Sequence, residues 1–167
     1  EYKEEVDFYT AQYTFFKGNL SEAIQLSDAF VRNYPQSEHT TEMYRVLGNS
    51  YYRQGQPSRA IAYYENYLRK TDSPLRGDAY FLGLSYAETA KFNDAARMFQ
   101  KATGERDALN LNAQLHVGQT FLKLGEKQKA QMAFEAAARD KFDPKVRETA
   151  LFNYALLAHE TNFSVFS

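Results

Sequence analysis

Gly48, Gly83 and Gly118 recur at a step of 35 residues, and Ala60, Ala95 and Ala130 recur at the same step. Tyr51, Tyr86 and Phe121 fall in line with them, as do Tyr64, Phe99 and Phe134. A fixed period of this length is the mark of a chain built from stacked supersecondary units, each burying its apolar face against its neighbours. An earlier copy, "YTAQYTFFKGNLSEAIQLSDAFVRNYP", matches Gly18 and Ala23 to Gly55 and Ala60, and a partial copy, "VRETALFNYALLAHETNFSVFS", follows the others.

Within a unit the apolar spacing is helical. Tyr44, Leu47, Gly48 and Tyr51 follow i, i+3, i+4, i+7, while Ala60, Tyr64 and Tyr67 follow i, i+4, i+7. Each unit therefore reads as two antiparallel helices. The break inside the unit falls at Gly55 and Pro57, at "KFND" and at Gly125. Pro35, Pro74 and Pro144 are expected to open the next helix, and Pro57 a second helix, where the missing amide hydrogen costs little. Gly48 and Ala60 are expected at the crossing of the two helices, so a bulky residue at Gly83, Ala60 or Ala95 would overpack it by roughly 1 to 3 kcal/mol. Gly104 in "ATGERDAL" reads as a helix stop.

Composition narrows the function classes. The chain has 167 residues, 20 Lys and Arg against 21 Asp and Glu, no cysteine, no tryptophan, and 13 each of Tyr and Phe. Zero cysteine excludes disulfides, thiol catalysis and thiolate metal sites. Near-neutral charge lacks the basic footprint of a nucleic-acid binder. No apolar run approaches the roughly 20 residues needed to cross a bilayer. The N-terminus, "EYKEEVDFYT", lacks a signal peptide's basic and apolar order, and with no initiating Met the chain reads as a mature protein or an excised segment.

The sequence resembles the tetratricopeptide repeats. The family's order of aromatic, Leu-Gly, Tyr, Gly, Ala and aromatic is matched by Tyr44, Leu47, Gly48, Tyr51, Gly55, Ala60 and Tyr64. It is matched again by Leu82, Gly83, Tyr86, Ala95, Phe99 and Ala102, and by Val117, Gly118, Phe121, Gly125, Ala130, Phe134 and Ala137. The period is 35 rather than 34, and Phe30 and Tyr67 replace small residues. The resemblance implies an all-α fold, a right-handed α-α superhelix (a tetratricopeptide solenoid) of antiparallel helix pairs. We expect a single domain over 1–167, with repeats at about 4–36, 41–73, 76–107 and 111–143 and a partial one at 146–167. A second, less specific resemblance, to repeats of bacterial cell-envelope assembly proteins through the "YP-S" turn and the "G-YY-G" helix, leans toward periplasm or outer membrane.

The family binds extended peptides or partner helices in a concave groove lined by the first helix of each unit. The resemblance places Phe8, Gln12 and Phe15 in that groove from the first unit and Arg45, Asn49, Tyr52 and Arg53 from the second. Tyr80, Leu84, Ala87 and Glu88 follow from the third, and Leu115, Gln119, Leu122 and Lys123 from the fourth. Apolar members left in a groove mark an interaction surface. The expected function is a scaffold with a protein or peptide partner; the alternative is a structural spacer of a larger protein. Some members grip a C-terminal carboxylate. Arg45 and Asn49 fit the first part of that clamp, but Phe81, Asn112 and His116 depart from the rest. Arg45 with Arg53 could still hold an acidic side chain.

Catalytic signals are thin. His39, His116 and His159 show no metal-ligand spacing, and no nucleophile elbow or phosphate loop is present. We expect no enzyme, no cofactor, no metal and no membrane insertion. The 35-residue period also invites a pentatricopeptide reading with one RNA base per repeat, but Tyr80, Leu84 and Leu115 stand where polar code residues belong. At the C-terminus, 35 past Gly118 falls on Asn153, so "KVRETALFNYALLAHE" is expected as a first helix with Phe152, Leu156 and Leu157 on its apolar sides and a partner helix starting near "FSVFS". The unfinished unit leads to two expectations: that the native protein continues past Ser167, and that this chain frays there or forms a homodimer through the incomplete C-terminal repeat.

Overall fold

The computed structural model describes residues 2–166. Among the described residues all regular structure is helical: α1 (Tyr2–Phe16), α2 (Leu20–Asn33), α3 (Thr40–Arg53), α4 (Pro57–Lys70), α5 (Arg76–Glu88), α6 (Phe92–Ala102), α7 (Ala108–Lys123), α8 (Lys127–Ala138) and α9 (Pro144–Phe166). The fold class is all-α. The chain divides into two compact units, Glu1–Thr89 holding α1 to α5 and Ala90–Ser167 holding α6 to α9. Within each compact unit helices adjacent in sequence pack against one another.

The turns inside the repeats share one device. In "FFKGN" the Gly18 amide donates to the Phe15 carbonyl and the Asn19 amide to the Thr14 carbonyl. The same pair closes α3, from Gly55 to Tyr52 and from Gln56 to Tyr51, and closes α7, from Gly125 to Leu122 and from Glu126 to Phe121. This is the Schellman arrangement, which needs a left-handed residue at its corner. Glycine supplies it at φ of 83°, 73° and 75°, but in the third repeat the corner is Ala90, at φ 59°. An L-residue with a Cβ holds that conformation only at a cost.

The prolines divide. Pro57 and Pro144 begin α4 and α9 as expected. Pro35 and Pro74 do not open helices, because α3 starts five residues after the first and α5 two after the second. After Pro35 the chain makes a further turn, in which the Ser37 carbonyl accepts from the Thr40 amide and hydroxyl. After Pro74 the extended residue Leu75, at ψ 139°, precedes α5 and donates its amide to the Tyr67 hydroxyl. That bond accounts for a buried tyrosine where the family carries a small residue.

In the N-terminal unit the core runs through Phe8, Ala11, Phe15, Ala23, Phe30, Met43 and Val46. Gly48 is packed against Tyr64, whose ring atoms would lie 2.7 to 2.9 Å from a Cβ placed there. In the C-terminal unit Gly118 stands to Phe134 in the same way, at 2.6 to 2.8 Å. The small residues thus face an aromatic one turn further into the second helix.

The C-terminal register differs from the expected one. α9 continues without a break to Phe166, so no partner helix starts within the described residues, and Ser167 lies outside them. Leu157 is buried, but Phe152 and Leu156 are exposed; the inward set is Ala150, Asn153, Tyr154 and Leu157. That spacing repeats Ala113, His116, Val117 and Thr120 of α7 after 37 residues rather than 35. The cause lies in the α8–α9 loop. Asp143 accepts the Lys145 and Val146 amides and fixes the start of α9 at Pro144, and the inward face follows from that start rather than from the mean period.

Candidate functional site

The first helices of the N-terminal unit, α1, α3 and α5, carry a connected polar network. Glu42 and Arg45 are three residues apart on α3, hence on one face. Arg45 donates from Nε and Nη2 to the two Glu42 carboxylate oxygens at 2.8 and 2.6 Å, a two-pronged fork. Its Nη1 lies 3.5 Å from Asp78 Oδ1 at the start of α5. Asn49, one turn after Arg45, donates to the Arg45 carbonyl at 3.0 Å and to Asp78 Oδ1 at 3.3 Å. It accepts from the Tyr64 hydroxyl of α4 at 2.9 Å. From α1, Gln12 donates to Glu42 at 3.4 Å.

Electrostatics follow from this geometry. The bond to Glu42 raises the Arg45 pKa further above its ordinary value, and Asp78 adds to the effect. Burial pushes the Tyr64 hydroxyl up, helped by the Asp78 charge. Tyr52, pushed up to about 12 mainly by burial and then by Glu88, donates to Glu88 Oε1 at 3.4 Å. Its ring packs on Phe81 at 5.4 Å. Burial also raises Tyr80.

The groove residues expected from sequence separate into three groups. Gln12, Arg45, Tyr52, Tyr80 and Leu84 are half-buried, with part of each side chain accessible. Arg53, Gln119 and Leu122 are exposed, Arg53 lying over the Phe15 ring at 5.6 Å. Phe8, Phe15, Asn49 and Leu115 are buried and so present little surface to a ligand. Phe8 stacks on His39 at 4.0 Å and belongs to the core. Arg45 and Arg53 do not converge on one acceptor: the first is held by Glu42 and Asp78, the second sits on Phe15.

Sequence reading missed Glu42 and Asp78. The signal for Asp78 is its register: it stands 35 residues after Met43 and 35 before Ala113, both fully buried. A carboxylate at a core position is held only if paired, and here Arg45 and Asn49 pair it. In the C-terminal unit His116 stacks on Phe99 at 5.1 Å, and burial lowers its pKa, the packing role its position suggests. Among the described residues no group of three His, Asp or Glu side chains converges as metal ligands. No described helix is long and apolar enough to cross a membrane.

Comparison with known proteins agrees with this architecture. A family model described as tetratricopeptide repeat matches residues 45–82 and 82–146. A search of curated proteins finds no match. Among solved structures the chain is similar to a MamA protein, with TM-score 0.68 and 20% identity over 96% of this chain and 87% of that one. It is similar to the C-terminal part of a TPR repeat-containing protein from Cytophaga hutchinsonii, with TM-score 0.71 and 22% identity over 87% of this chain and 57% of that one. It is also similar to a tetratricopeptide repeat protein from Parabacteroides merdae, with TM-score 0.71 and 18% identity over 94% and 59%. At these identities the likeness is one of fold.

Proposed function

Since this chain belongs to the tetratricopeptide repeat family, a family of repeat scaffolds that mediate protein–protein interaction, we propose that it captures a peptide or partner helix on the first-helix face of its N-terminal unit. It acts as a scaffold and not as an enzyme. The observation that carries this reading is the pairing of half-buried apolar side chains, Tyr52, Tyr80 and Leu84, with polar groups already fixed by the Gln12, Glu42, Arg45, Asn49 and Asp78 network. Fixed polar groups beside partly accessible rings reduce the ordering cost of binding. Arg45 is engaged by two carboxylates, so the terminal carboxylate of a partner is not its ligand here.

Selection of peptides from a displayed random library tests the proposal. Peptides enriched on the wild-type chain should lose binding to Tyr52→Ala with Leu84→Ala and keep it to Met132→Ala, an exposed position on α8. Truncating two well-packed anchors costs about 2 kcal/mol or more each. Failure to enrich any peptide, or binding indifferent to the double change, would favour the spacer reading, which the internal hydrogen bonding of Asn49 and Arg45 also accommodates.

A further inference from the structure

The C-terminal unit leaves open a place that the N-terminal unit fills. Between α3 and α4 the rings of Tyr51 and Tyr63 stack nearly parallel at 5.3 Å, and the Arg59 guanidinium lies 5.7 Å from the centre of the Tyr51 ring. Two repeats on, 70 residues later, the same register holds Phe121 on α7 with Lys129 and Ala133 on α8. Lys129 lies over the Phe121 ring at 5.3 Å, as Arg59 does over Tyr51. In place of the Tyr63 ring, however, Ala133 has only a methyl group. The third repeat has a buried methionine there, Met98. Beside Ala133 a hollow of about 360 Å³ opens between α6 and α8. Val117 and Phe121 of α7 floor it, Gln100 and Thr103 form one wall, and Met132 and Ala133 form the other. Both α6 and α8 pack on α7, which holds the walls in place. Met132, 71% exposed, is the most exposed large apolar side chain described in this unit. Its exposure is a property of the register, since Ala62 and Arg97 at the same position of the second and third repeats are exposed with further helices following them.

We propose that this hollow is a recognition pocket for one aromatic side chain of a partner protein, which takes the place that Tyr63 takes in the N-terminal unit. The lining selects a ring over an aliphatic side chain. Its floor carries a ring that offers stacking, its rim a thioether that favours aromatic contact, and Lys129 an ammonium group beside the same floor. The hollow has the volume of a small-ligand site, and one anchoring ring in such a pocket is the usual form of an interface hot spot. Ala136 borders both this hollow and a second of about 620 Å³ that reaches the exposed Phe142, so the segment bearing the anchor has room to continue. Charges along that second hollow are mixed. Arg106, Arg139 and Lys141 stand beside Asp140, with Glu135 bonded to Arg139 and Asp143 next in the loop. The ring, and not a net charge, therefore selects the partner.

Titration of the full chain with p-cresol, the side chain of tyrosine, followed by methyl and amide NMR, tests the proposal. Saturable shifts should centre on Val117, Phe121, Met132 and Ala133. N-acetyltyrosinamide, the same ring on a peptide backbone, should shift the same signals, and 4-methylcyclohexanol, of similar outline without the aromatic face, should bind more weakly. Ala133→Tyr, the residue of the second repeat, should keep the helical content, raise the melting temperature and abolish the shifts. Ala133→Met, the residue of the third repeat, should reduce them. Tyr52→Ala with Leu84→Ala, on the face proposed above for the peptide, should leave p-cresol binding unchanged, so the two readings fail separately. Absence of saturable shifts at these residues overturns the proposal, as do shifts that persist undiminished in both Ala133 variants. Equal binding of 4-methylcyclohexanol overturns the choice of a ring. Binding of p-cresol without N-acetyltyrosinamide would mark a pocket for a free aromatic molecule and overturn the assignment to a protein partner.

Discussion

The ring of Tyr64 occupies the space that a side chain on Gly48 would need: a Cβ there would meet Cδ1 at 2.7 Å, and the ring is fully buried. Tyr64 cannot swing aside freely, because its hydroxyl is bonded to Asn49. Gly118 and Phe134 repeat the relationship. Alanine is the better helix former by about 1 kcal/mol, but overpacking costs about 1–3 kcal/mol. Gly48→Ala and Gly118→Ala should therefore each lose about 1 kcal/mol net, read as a melting temperature lower by about 2–4 °C. Gly77→Ala is the control. It lies in the first turn of α5 with nothing within 4 Å of its would-be Cβ, so only the propensity gain should appear.

Much of the fold was legible for this reason. Glycine beside an aromatic at fixed register has a single economical reading, two backbones in close approach, and Gly48 and Gly118 show it directly. α9 was misread because a mean period carries no account of one loop: the Asp143 cap shifts the inward set by two residues. Of the groove residues expected from sequence, Tyr52, Tyr80 and Leu84 keep part of each side chain accessible, but Phe8 and Phe15 turn inward, since in α1 the same spacing also fits the core. Asp78 was passed over because its partners come from α3, 29 and 33 residues earlier, a distance that local spacing does not report.

Ala90 stands at the left-handed corner that glycine fills in the other repeats. Ala90→Gly should stabilise the chain by about 1 kcal/mol by removing the Cβ clash, which exceeds the entropy that glycine adds to the unfolded state. Gly55→Ala should lose a similar amount. Urea unfolding with an unchanged slope would measure both; a destabilised Ala90→Gly would show that the corner is held by more than its own dihedral.

Asp78→Ala removes the acceptor shared by Arg45 and Asn49 inside the N-terminal unit. Arg45 keeps its fork to Glu42, so the loss should be about 2 kcal/mol, below the cost of stranding a buried charge outright. Asp78→Asn should cost less. Chemical denaturation of the two variants side by side checks the order.

Alkaline pH should weaken the fold. An unfolded tyrosine loses its proton near pH 10, whereas Tyr52 holds its own to about 12 and burial shifts Tyr64 and Tyr80 in the same direction. Above about pH 10 the unfolded chain therefore binds fewer protons than the folded one. The stabilisation is complete below that pH and is lost as pH rises through the folded values. The urea midpoint should fall between neutral and about pH 11, and less steeply in Tyr52→Phe. A midpoint that rises, or a slope unchanged in that variant, would contradict the assignment.

The central claim, that partners are held on the first-helix face of the N-terminal unit, is tested most directly by photocross-linking. A photoreactive phenylalanine analogue placed at Tyr52 or at Leu84 is irradiated with a library-selected peptide bound, and the same analogue at Met132 serves as the comparison. Cross-links from Tyr52 and Leu84, with none from Met132, are the expected result. Cross-links from Met132, with Tyr52 and Leu84 silent while the peptide remains bound, would move the interface off that face and contradict the account.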